Sequence, residues 1–361
     1  MKRNNTKLRS VTMVLLWVVL GFMASVIHAD SLYIGDGGDD SVKRFDARTG
    51  KYLGNFVAPS SGGLEGPRGM IFSKGSLLVV NQNVSRTFEG EILRYRKDGS
   101  FLDALVPCRP IGPDPRVCDD NAPLLPRGII RGPGRTLYVA NFTENDSGPF
   151  LPGDIRKFDI ETGLFLGSFD TGSFPSTSFF PRGIVRGPDG LIYVSITGDL
   201  GSGDGLTGKI LRFNPRTGKL VDTFVNNPTD SSGNSLGSGC AKHLHRPEGL
   251  VFGPDNNLYV TSFRADANDN DKVLVFNRKG QCLGQKTIAL DVAGQERSYA
   301  QALLFGPNNR LFVPMNNTGE VRRYNIKTKA YDIFIPANGD LVNPWFMTLG
   351  KTNPSTLKYG R

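Results

Sequence analysis

The sequence predicts an all-β fold, a six-bladed β-propeller with four antiparallel strands in each blade. Three observations indicate this fold. A short aromatic strand recurs six times, the same order of apolar segments and turns surrounds it, and no useful stretch after residue 29 has a helical period. Repeats of roughly 40–60 residues that hold four short strands are typical of propeller blades.

The recurring strand sets the number of blades. Its copies read VKRFD, ILRYR, IRKFD, ILRFN, VLVFN and VRRYN, and their aromatic residues follow one another at intervals of 48 to 63 residues. The two terminal pieces of the chain add up to one further interval of similar size. The aromatic residues are Phe45, Tyr95, Phe158, Phe213, Phe276 and Tyr324.

A Pro-x-Gly frame precedes the first apolar run of several repeats, as in GPRGMIF, LPRGIIRGPGRTLYV, FPRGIVRGPDGLIYV and RPEGLVFGPDNNLYV. The apolar run, the Gly/Pro/Asn/Asp turn and the second apolar run predict the first two strands of a blade. The middle residue is Arg68, Arg127 and Arg182 in three copies and Glu248 in the fourth. This frame therefore predicts where each blade begins and where the blades differ.

The two chain ends predict how the ring closes. SLYIGD, near the mature N-terminus, matches the second strand of a blade, whereas NPWFMTLG near the C-terminus matches a first strand. We therefore expect one blade to be assembled from both termini, which leaves no open sheet edges at the join.

The recurring frame resembles six-bladed propellers of the NHL-repeat type. More distantly it is similar to the gluconolactonase/regucalcin and streptogramin-lyase propellers. The resemblance covers essentially the whole chain after residue 29. It implies the fold, but it does not imply one activity, because this architecture carries unrelated functions.

Residues 1–29 have the order of a secretory signal peptide. Lys2, Arg3, Lys7 and Arg9 precede a long apolar run that ends at the small residue Ala29. We expect cleavage after Ala29, which leaves a single propeller domain over residues 30–361; an uncleaved anchor is the alternative. The protein is thus predicted to be secreted or periplasmic, with no membrane span after cleavage.

Charge and cysteine content narrow the function classes. The net charge is +9, and no Lys/Arg run with interleaved aromatics occurs, so we expect no nucleic-acid partner. We also expect the protein to be a monomer. Four cysteines in an exported chain indicate disulfides, Cys108 with Cys118 and Cys240 with Cys282. The alternative is free, buried thiols.

The loops are unequal on the two faces of the predicted ring. Loops between strands two and three and between blades are long and irregular, whereas the others are short turns. Binding loops on a rigid scaffold commonly have this pattern, and drift in tolerant loops is the alternative. The functional site is therefore predicted to lie on the long-loop face.

Two rings of side chains are predicted at the mouth of the central channel on this face. The first holds the middle residues of the frame, and the second holds the residues that end the second strands. The first ring is Trp345, Arg68, Arg127, Arg182, Glu248 and Gln301; the second is Asp36, Asn81, Asn141, Ile196, Ser262 and Met315. The guanidinium group of arginine can donate paired hydrogen bonds to a carboxylate or a phosphate group. We expect a non-catalytic site for an anionic small molecule or a protein partner; the alternative is that the arginines pair locally and plug the channel.

The resemblances imply a second class of function. In gluconolactonase-like propellers a divalent metal sits over the channel, and Glu248, Asn81, Asn141 and Asp36 match its ligand positions, although three arginines oppose such a site. Ca²⁺, Mg²⁺ or Zn²⁺ would then serve a lactonase, another hydrolase or a lyase. His243 and His245 lie five and three residues before Glu248 and could hold Zn²⁺ or act as acid and base, as in the streptogramin-lyase type. Ordinary loop histidines are the alternative.

Overall fold

A computed structural model describes most of the chain after residue 29. The described ranges are 30–84, 89–113, 118–119, 121–143, 151–198, 207–228 and 236–360. The predicted signal peptide and parts of the predicted long loops lie outside the described residues. Within the described residues, no helix is long and apolar enough to cross a membrane.

The described residues form six four-stranded antiparallel sheets, which confirms the predicted six-bladed β-propeller. Helical structure among them is limited to short 3-10 turns. In chain order the strands are β1 (Ser31–Asp36), β2 (Ser41–Asp46), β3 (Tyr52–Val57), β4 (Pro67–Ser73), β5 (Ser76–Asn81), β6 (Glu91–Tyr95), β7 (Phe101–Val106), β8 (Leu125–Arg131), β9 (Thr136–Thr143), β10 (Leu151–Asp159), β11 (Phe165–Ser168), β12 (Phe180–Arg186), β13 (Ile192–Thr197), β14 (Lys209–Phe213), β15 (Leu220–Asn226), β16 (Arg246–Phe252), β17 (Leu258–Phe263), β18 (Lys272–Phe276), β19 (Ile288–Ala289), β20 (Leu304–Phe305), β21 (Leu311–Met315), β22 (Glu320–Tyr324), β23 (Tyr331–Ile335) and β24 (Pro344–Leu349). The 3-10 turns are Ser61–Gly63, Ser176–Ser178, Gly239–His243, Gly284–Lys286 and Pro307–Asn309.

The first blade is built from both ends of the chain, as predicted. Its strand order is β24-β1-β2-β3, so the last strand is the innermost strand of the first sheet. Asp36, at the end of β1, accepts hydrogen bonds from the backbone N–H groups of Val342 and Asn343, each at 2.8 Å. Lys43 lies 2.8 Å from the same carboxylate. These contacts fasten the N-terminal strands to the segment that enters β24.

The Pro-x-Gly frame forms a β-bulge at the start of the four inner strands that contain it. In the second blade Pro67 pairs with Asn81 and Met70 pairs with Val79, so the two intervening residues of β4 face a single residue of β5. The same irregularity occurs in β8, β12 and β16. Because a bulge re-aims a side chain, the middle residue of the frame can turn toward the central axis.

The glycine of the frame allows neighbouring inner strands to approach closely. A Cβ added to Gly69 would lie 2.5 Å from the carbonyl oxygen of Arg127, and one added to Gly183 would lie 2.4 Å from that of Glu248. Real Cβ atoms do not tolerate such distances from backbone. The frame therefore repeats because the four blades that contain it meet their neighbours at the same tight contact.

The aromatic residues that define the repeat lie in the core. All six are buried, from Phe45 in the first blade to Tyr324 in the sixth. Hydrophobic clusters fill the spaces between neighbouring sheets, as where Ile92 of the second blade and Phe158 of the third share one cluster. Burial of apolar surface between blades therefore holds the ring together.

Both predicted disulfides are present. Cys108 bonds to Cys118 across the loop between β7 and β8, with 5.2 Å between their Cα atoms. Cys240 bonds to Cys282 and ties the segment before β16 to the segment after β18. Disulfides persist in oxidising compartments, so these bonds are consistent with an extracellular protein.

A C-terminal tail closes the channel at its short-turn end, which the sequence did not predict. After β24 the chain turns back on itself, and Thr352 pairs with Tyr359. The tail carbonyls of Pro354 and Ser355 accept N–H groups from the ends of β8 and β12. Leu357 enters the apolar end of the channel and packs against five of the six core clusters.

Candidate functional site

A cavity of about 350 Å³ lies where the inner strands begin, on the long-loop face of the ring. Leu357 plugs the opposite end of the channel, so the cavity is blind. The structure brings all six residues of the predicted first ring to its wall. The described lining is Arg68, Arg127, Phe142, Arg182, Thr197, Arg246, Glu248, Phe263, Tyr299, Gln301, Asn316 and Trp345.

Arg68 is stacked on the aromatic wall of the cavity. Its guanidinium carbon lies 3.5 Å from the centre of a Trp345 ring. Its Nε donates to Gln82 Oε1, and its Nη1 donates to Gln301 Oε1 at 2.8 Å. Burial, together with the charge of Arg127, lowers the pKa of Arg68 well below its usual value. The site therefore holds this cation against an unfavourable electrostatic environment.

Gln301 joins two arginines through a single oxygen atom. Its Oε1 accepts hydrogen bonds from Nη1 of Arg68 at 2.8 Å and from Nη1 of Arg127 at 3.0 Å. A neutral amide satisfies both donors without cancelling either charge. The two guanidinium groups are therefore held in place by one neutral acceptor.

Arg182 and Glu248 are the only oppositely charged side chains of the described lining that lie within 4 Å of each other. Arg182 Nε lies 3.7 Å from Glu248 Oε1, and the guanidinium carbon lies 3.9 Å from the centre of the Phe142 ring. The Ser195 hydroxyl donates to the Glu248 carbonyl at 2.6 Å and accepts the Gly183 N–H at 2.7 Å. The Ser195 side chain thus fixes the backbone of both frames at the junction between the fourth and fifth blades.

A fourth arginine, Arg246, was not predicted from the sequence. It directly precedes the Pro-x-Gly frame of the fifth blade, and its Nη2 donates to the carbonyl of Arg264. Burial and the charge of Arg297 lower its pKa. Position beside the frame was the only signal in the sequence that could have identified it.

Aromatic residues from three blades complete the wall, and of these only Trp345 was predicted from the sequence. Phe142 is the penultimate residue of β9, and Phe263 is the last residue of β17. Tyr299 stacks on Phe263 with ring centres 4.5 Å apart and planes 21° apart. The signal available was an aromatic residue one place after the second-ring position in the third and fifth blades.

The charge of the described lining is unbalanced. Four arginines face one carboxylate, Glu248. Among the described residues, Arg127 Nε, Arg246 Nε and Glu248 Oε2 are buried with no hydrogen-bond partner. Buried polar atoms of this kind cost about 1–3 kcal/mol each when nothing satisfies them. The arrangement can offer charged donors to an anion and one acceptor to a hydroxyl or an ammonium group.

The polar residues of the second ring support the backbone instead of lining the cavity. Asn81 Oδ1 accepts the N–H of Glu65 at 2.8 Å, and Asn141 Oδ1 accepts the N–H groups of Leu124 and Leu125. Asp36 fastens the ring closure. None of the three belongs to the described lining, nor do Ile196, Ser262 and Met315, which are buried.

The gluconolactonase-type metal set does not fit this geometry. Glu248 would be its central ligand, and it lies 3.7 Å from Arg182 in a cavity lined by three further arginines. The amide oxygens of Asn81 and Asn141 are engaged by backbone N–H groups. A Ca²⁺ site needs six or more oxygen ligands, which these residues do not offer together.

The two histidines do not belong to the described lining of the cavity. Glu248 lines the cavity, whereas His243 and His245 lie with Asp269, their ligand atoms all within 4.8 Å of one another. His245 Nε2 is 3.7 Å from Asp269 Oδ2. Burial and the charge of Lys272 lower the pKa of His243. The predicted acid–base set of these histidines with Glu248 is thus not assembled around the cavity.

Comparison with known proteins supports the fold and leaves the activity open. No protein-family model matches the chain, and no curated protein matches it either. The chain is similar to a structure described as a nidogen/laminin complex, with 15% identity, 89% of this chain and 97% of that chain covered, and a TM-score of 0.58.

The chain is also similar, at about the same sequence identity, to two structures that are described as enzymes. A streptogramin B lyase matches with 14% identity, 88% of this chain and 82% of that chain covered, and a TM-score of 0.51. A putative 6-phosphogluconolactonase from Bacteroides fragilis matches with 14% identity, 90% and 99% coverage, and a TM-score of 0.50. This protein shares their fold. At such identities the likeness shows the fold alone, so the function must be argued from the cavity.

Proposed function

We propose that the protein is an exported β-propeller that binds an anionic small molecule in its central cavity without catalysing a reaction. The observation that carries this proposal is the charge of the cavity, where four arginines face one carboxylate in the described lining. Arginine offers planar, paired donors that match carboxylate and phosphate groups. An anion would satisfy the buried Nε donors of Arg127 and Arg246 and offset the mutual repulsion of the cations.

The size and shape of the cavity favour a small ligand. Its volume of about 350 Å³ is at the lower end of the range that small-molecule sites occupy, roughly 300–1,000 Å³. Since Leu357 closes the short-turn end, the ligand must enter from the long-loop face. A sugar acid or another hydroxylated carboxylate suits the site, because its hydroxyl groups can donate to Glu248 Oε2.

A protein partner is the related alternative. The nidogen structure shows that a propeller of this fold can form a complex with another protein. A partner would have to place a peptide carboxylate in the cavity, because the arginines line a recess. Binding to a peptide with a free C-terminal carboxylate, but not to free small acids, would identify this case.

An enzyme of the lactonase or lyase type has less support from the geometry. Such an enzyme would use Glu248 with metal ligands or with His243 and His245. The cavity places arginines around Glu248, and the histidines lie elsewhere. We therefore favour binding without chemistry.

Calorimetric titration with gluconate and with inorganic phosphate tests the proposal. Wild-type protein should bind at least one probe, with affinity that falls as salt rises. Replacing both Arg127 and Arg182 with alanine should weaken binding at least tenfold. The matched control replaces Arg216 and Arg278, two exposed arginines, and should change affinity less than twofold. Equal affinity in both double variants would rule the proposal out.

The proposed export rests on separate observations. The signal-like segment is a feature of the sequence, and the two disulfides are features of the fold. Mass spectrometry of the mature protein from its host tests this point. A mature chain that begins at Asp30 is the expected result, and a chain that retains residues 1–29 would contradict it.

A further inference from the structure

A second cluster of ligand-type side chains lies on the fifth blade, outside the central cavity. It consists of His243, His245 and Asp269, whose ligand atoms lie within 4.8 Å of one another. His243 and His245 precede β16, and Asp269 lies in the loop between β17 and β18. His245 is buried and the other two are half-buried. The cavity site does not use these residues.

The backbone holds the two histidines on the same side of their segment. Leu244 lies between them and is fully buried in the core. The Ser262 hydroxyl accepts the N–H of His245 at 3.1 Å and donates to the carbonyl of His243 at 2.8 Å. The Cys240–Cys282 disulfide anchors the chain a few residues upstream. Both imidazoles therefore project from a backbone segment that is held in place at the start of β16.

The third group is held independently of the other two. Asp269 Oδ2 accepts the N–H of Ala265 at 2.9 Å, and Oδ1 accepts the N–H of Asn270 at 2.8 Å. Lys272 Nζ lies 2.6 Å from both oxygens. The carboxylate therefore already offsets the positive charge of Lys272. Its Oδ2 is also the atom that lies 3.7 Å from His245 Nε2.

We propose that His243, His245 and Asp269 bind one Zn²⁺ ion. Two imidazoles and one carboxylate are a donor set that Zn²⁺ accepts, with water as a fourth ligand. Small side-chain rotations would bring the three atoms to bonding distance. Lys272 keeps a hydrogen bond to Asp269 Oδ1 and opposes the metal by charge. The ion would tie the entrance of β16 to the β17–β18 loop.

The chain has few other side chains that could compete for Zn²⁺ in a binding test. The sequence contains three histidines, and the third, His28, lies within residues 1–29. Among the described residues no cysteine is free. A tag-free protein that starts at Asp30 therefore has no other imidazole for Zn²⁺. It should be stripped with EDTA and titrated with Zn²⁺ against a chromogenic chelator.

One equivalent of Zn²⁺ with a Kd in the micromolar range or tighter is expected, together with a higher Tm in the presence of the metal. His243→Ala and Asp269→Asn should each weaken binding at least tenfold. Asp266→Asn, a matched loss of charge in the same loop, should leave it unchanged. Lys272→Met should tighten binding about tenfold because it removes the opposing cation.

The Lys272→Met result distinguishes a lost site from a misfolded variant, because a folding defect does not increase affinity. Co²⁺ provides a second readout, since tetrahedral coordination gives strong visible absorption that octahedral surface sites lack. Wild-type protein that binds no Zn²⁺, or an Asp269→Asn variant that binds it as tightly as wild type, would overturn the proposal.

Discussion

Arg182 and Glu248 are neighbours across the junction of the fourth and fifth blades, yet they do not form a close ion pair. The distance from Arg182 Nε to Glu248 Oε1 is 3.7 Å, and both side chains are buried. Glu248 Oε2 has no hydrogen-bond partner among the described residues. The one carboxylate of the described lining therefore offsets the charge of the arginines only in part.

Glu248→Gln should increase the affinity for an anion. The change removes the negative charge that opposes an anionic ligand and keeps the shape of the side chain. We expect about tenfold tighter binding of inorganic phosphate and a steeper dependence on salt. Calorimetric titration at two ionic strengths measures both. Glu296→Gln, at an exposed position, is the control. Weaker phosphate binding by Glu248→Gln would show that the carboxylate contributes to binding instead of opposing it.

Gln301→Glu should stabilise the fold and weaken the binding of an anion. The new carboxylate would accept from Arg68 and Arg127 as a charged partner, and it would stabilise the fold by about 1 kcal/mol. The same charge should weaken phosphate binding at least tenfold. Denaturant unfolding and titration of one preparation test both effects. Gln301→Leu leaves both arginine donors without their acceptor, so it should destabilise the protein by about 1–3 kcal/mol. A charged variant with unchanged phosphate affinity would argue against an anion site.

The fold could be predicted because its signals are local and repeated. Phe45 and its five counterparts mark one strand per blade, and the Pro-x-Gly frame marks another. Each signal comes from packing that repeats between blades, as with Gly69 against the Arg127 carbonyl. The ring closure was predictable as well, since each chain end matches a different part of the same repeat.

The site was only partly predictable, because a position within a repeat does not give the direction of a side chain. The bulge turns the middle residues of the frame, such as Arg68, toward the axis, and the sequence placed those. Asn81 and Asn141 occupy equivalent places on the neighbouring strand, but their amides cap incoming backbone. Arg246 and Leu357 lie outside the repeated frame, so no comparison between blades indicated them.

Asp36→Asn should loosen the ring closure, with an effect that depends on pH. Burial raises the pKa of Asp36, but Lys43 and three backbone N–H groups lower it more, so its net pKa lies below 3.8. The stabilisation by the charged form is therefore present above the unfolded-state pKa and is lost as the pH falls through the folded-state pKa.

At pH 7 the Asp36→Asn change should cost about 2–3 kcal/mol, since Lys43 keeps Asp39 as a partner at 3.1 Å. The difference from wild type should shrink below pH 4. Urea unfolding across this pH range provides the measurement. Asp39→Asn, which removes the more exposed partner of Lys43, should cost less than about 1 kcal/mol. A constant difference between pH 7 and pH 3 would contradict the assignment of the effect to the Asp36 charge.

Leu357→Ala should destabilise the ring without affecting the cavity. The Leu357 side chain is half-buried, and the backbone of this residue has a φ of 51°, which leucine rarely adopts, so the packing must offset some backbone strain. We expect a loss of about 2 kcal/mol, or about 3 °C in Tm, by calorimetry. Phosphate affinity should stay within twofold, because the arginines line the other end. Leu53→Ala, at an exposed position, is the control; equal Tm values for the two variants would show that the tail is not a plug.

The position of β24 constrains when the protein can fold. It is the innermost strand of the first blade, yet ribosomes synthesise it after all the other strands. Until it arrives, β1 presents an unpaired inner edge, and the partners that Asp36 needs have not been made. A chain that is exported from its N-terminus would therefore complete its fold only when nearly the whole chain has crossed the membrane, and truncation before residue 344 would leave the ring permanently open.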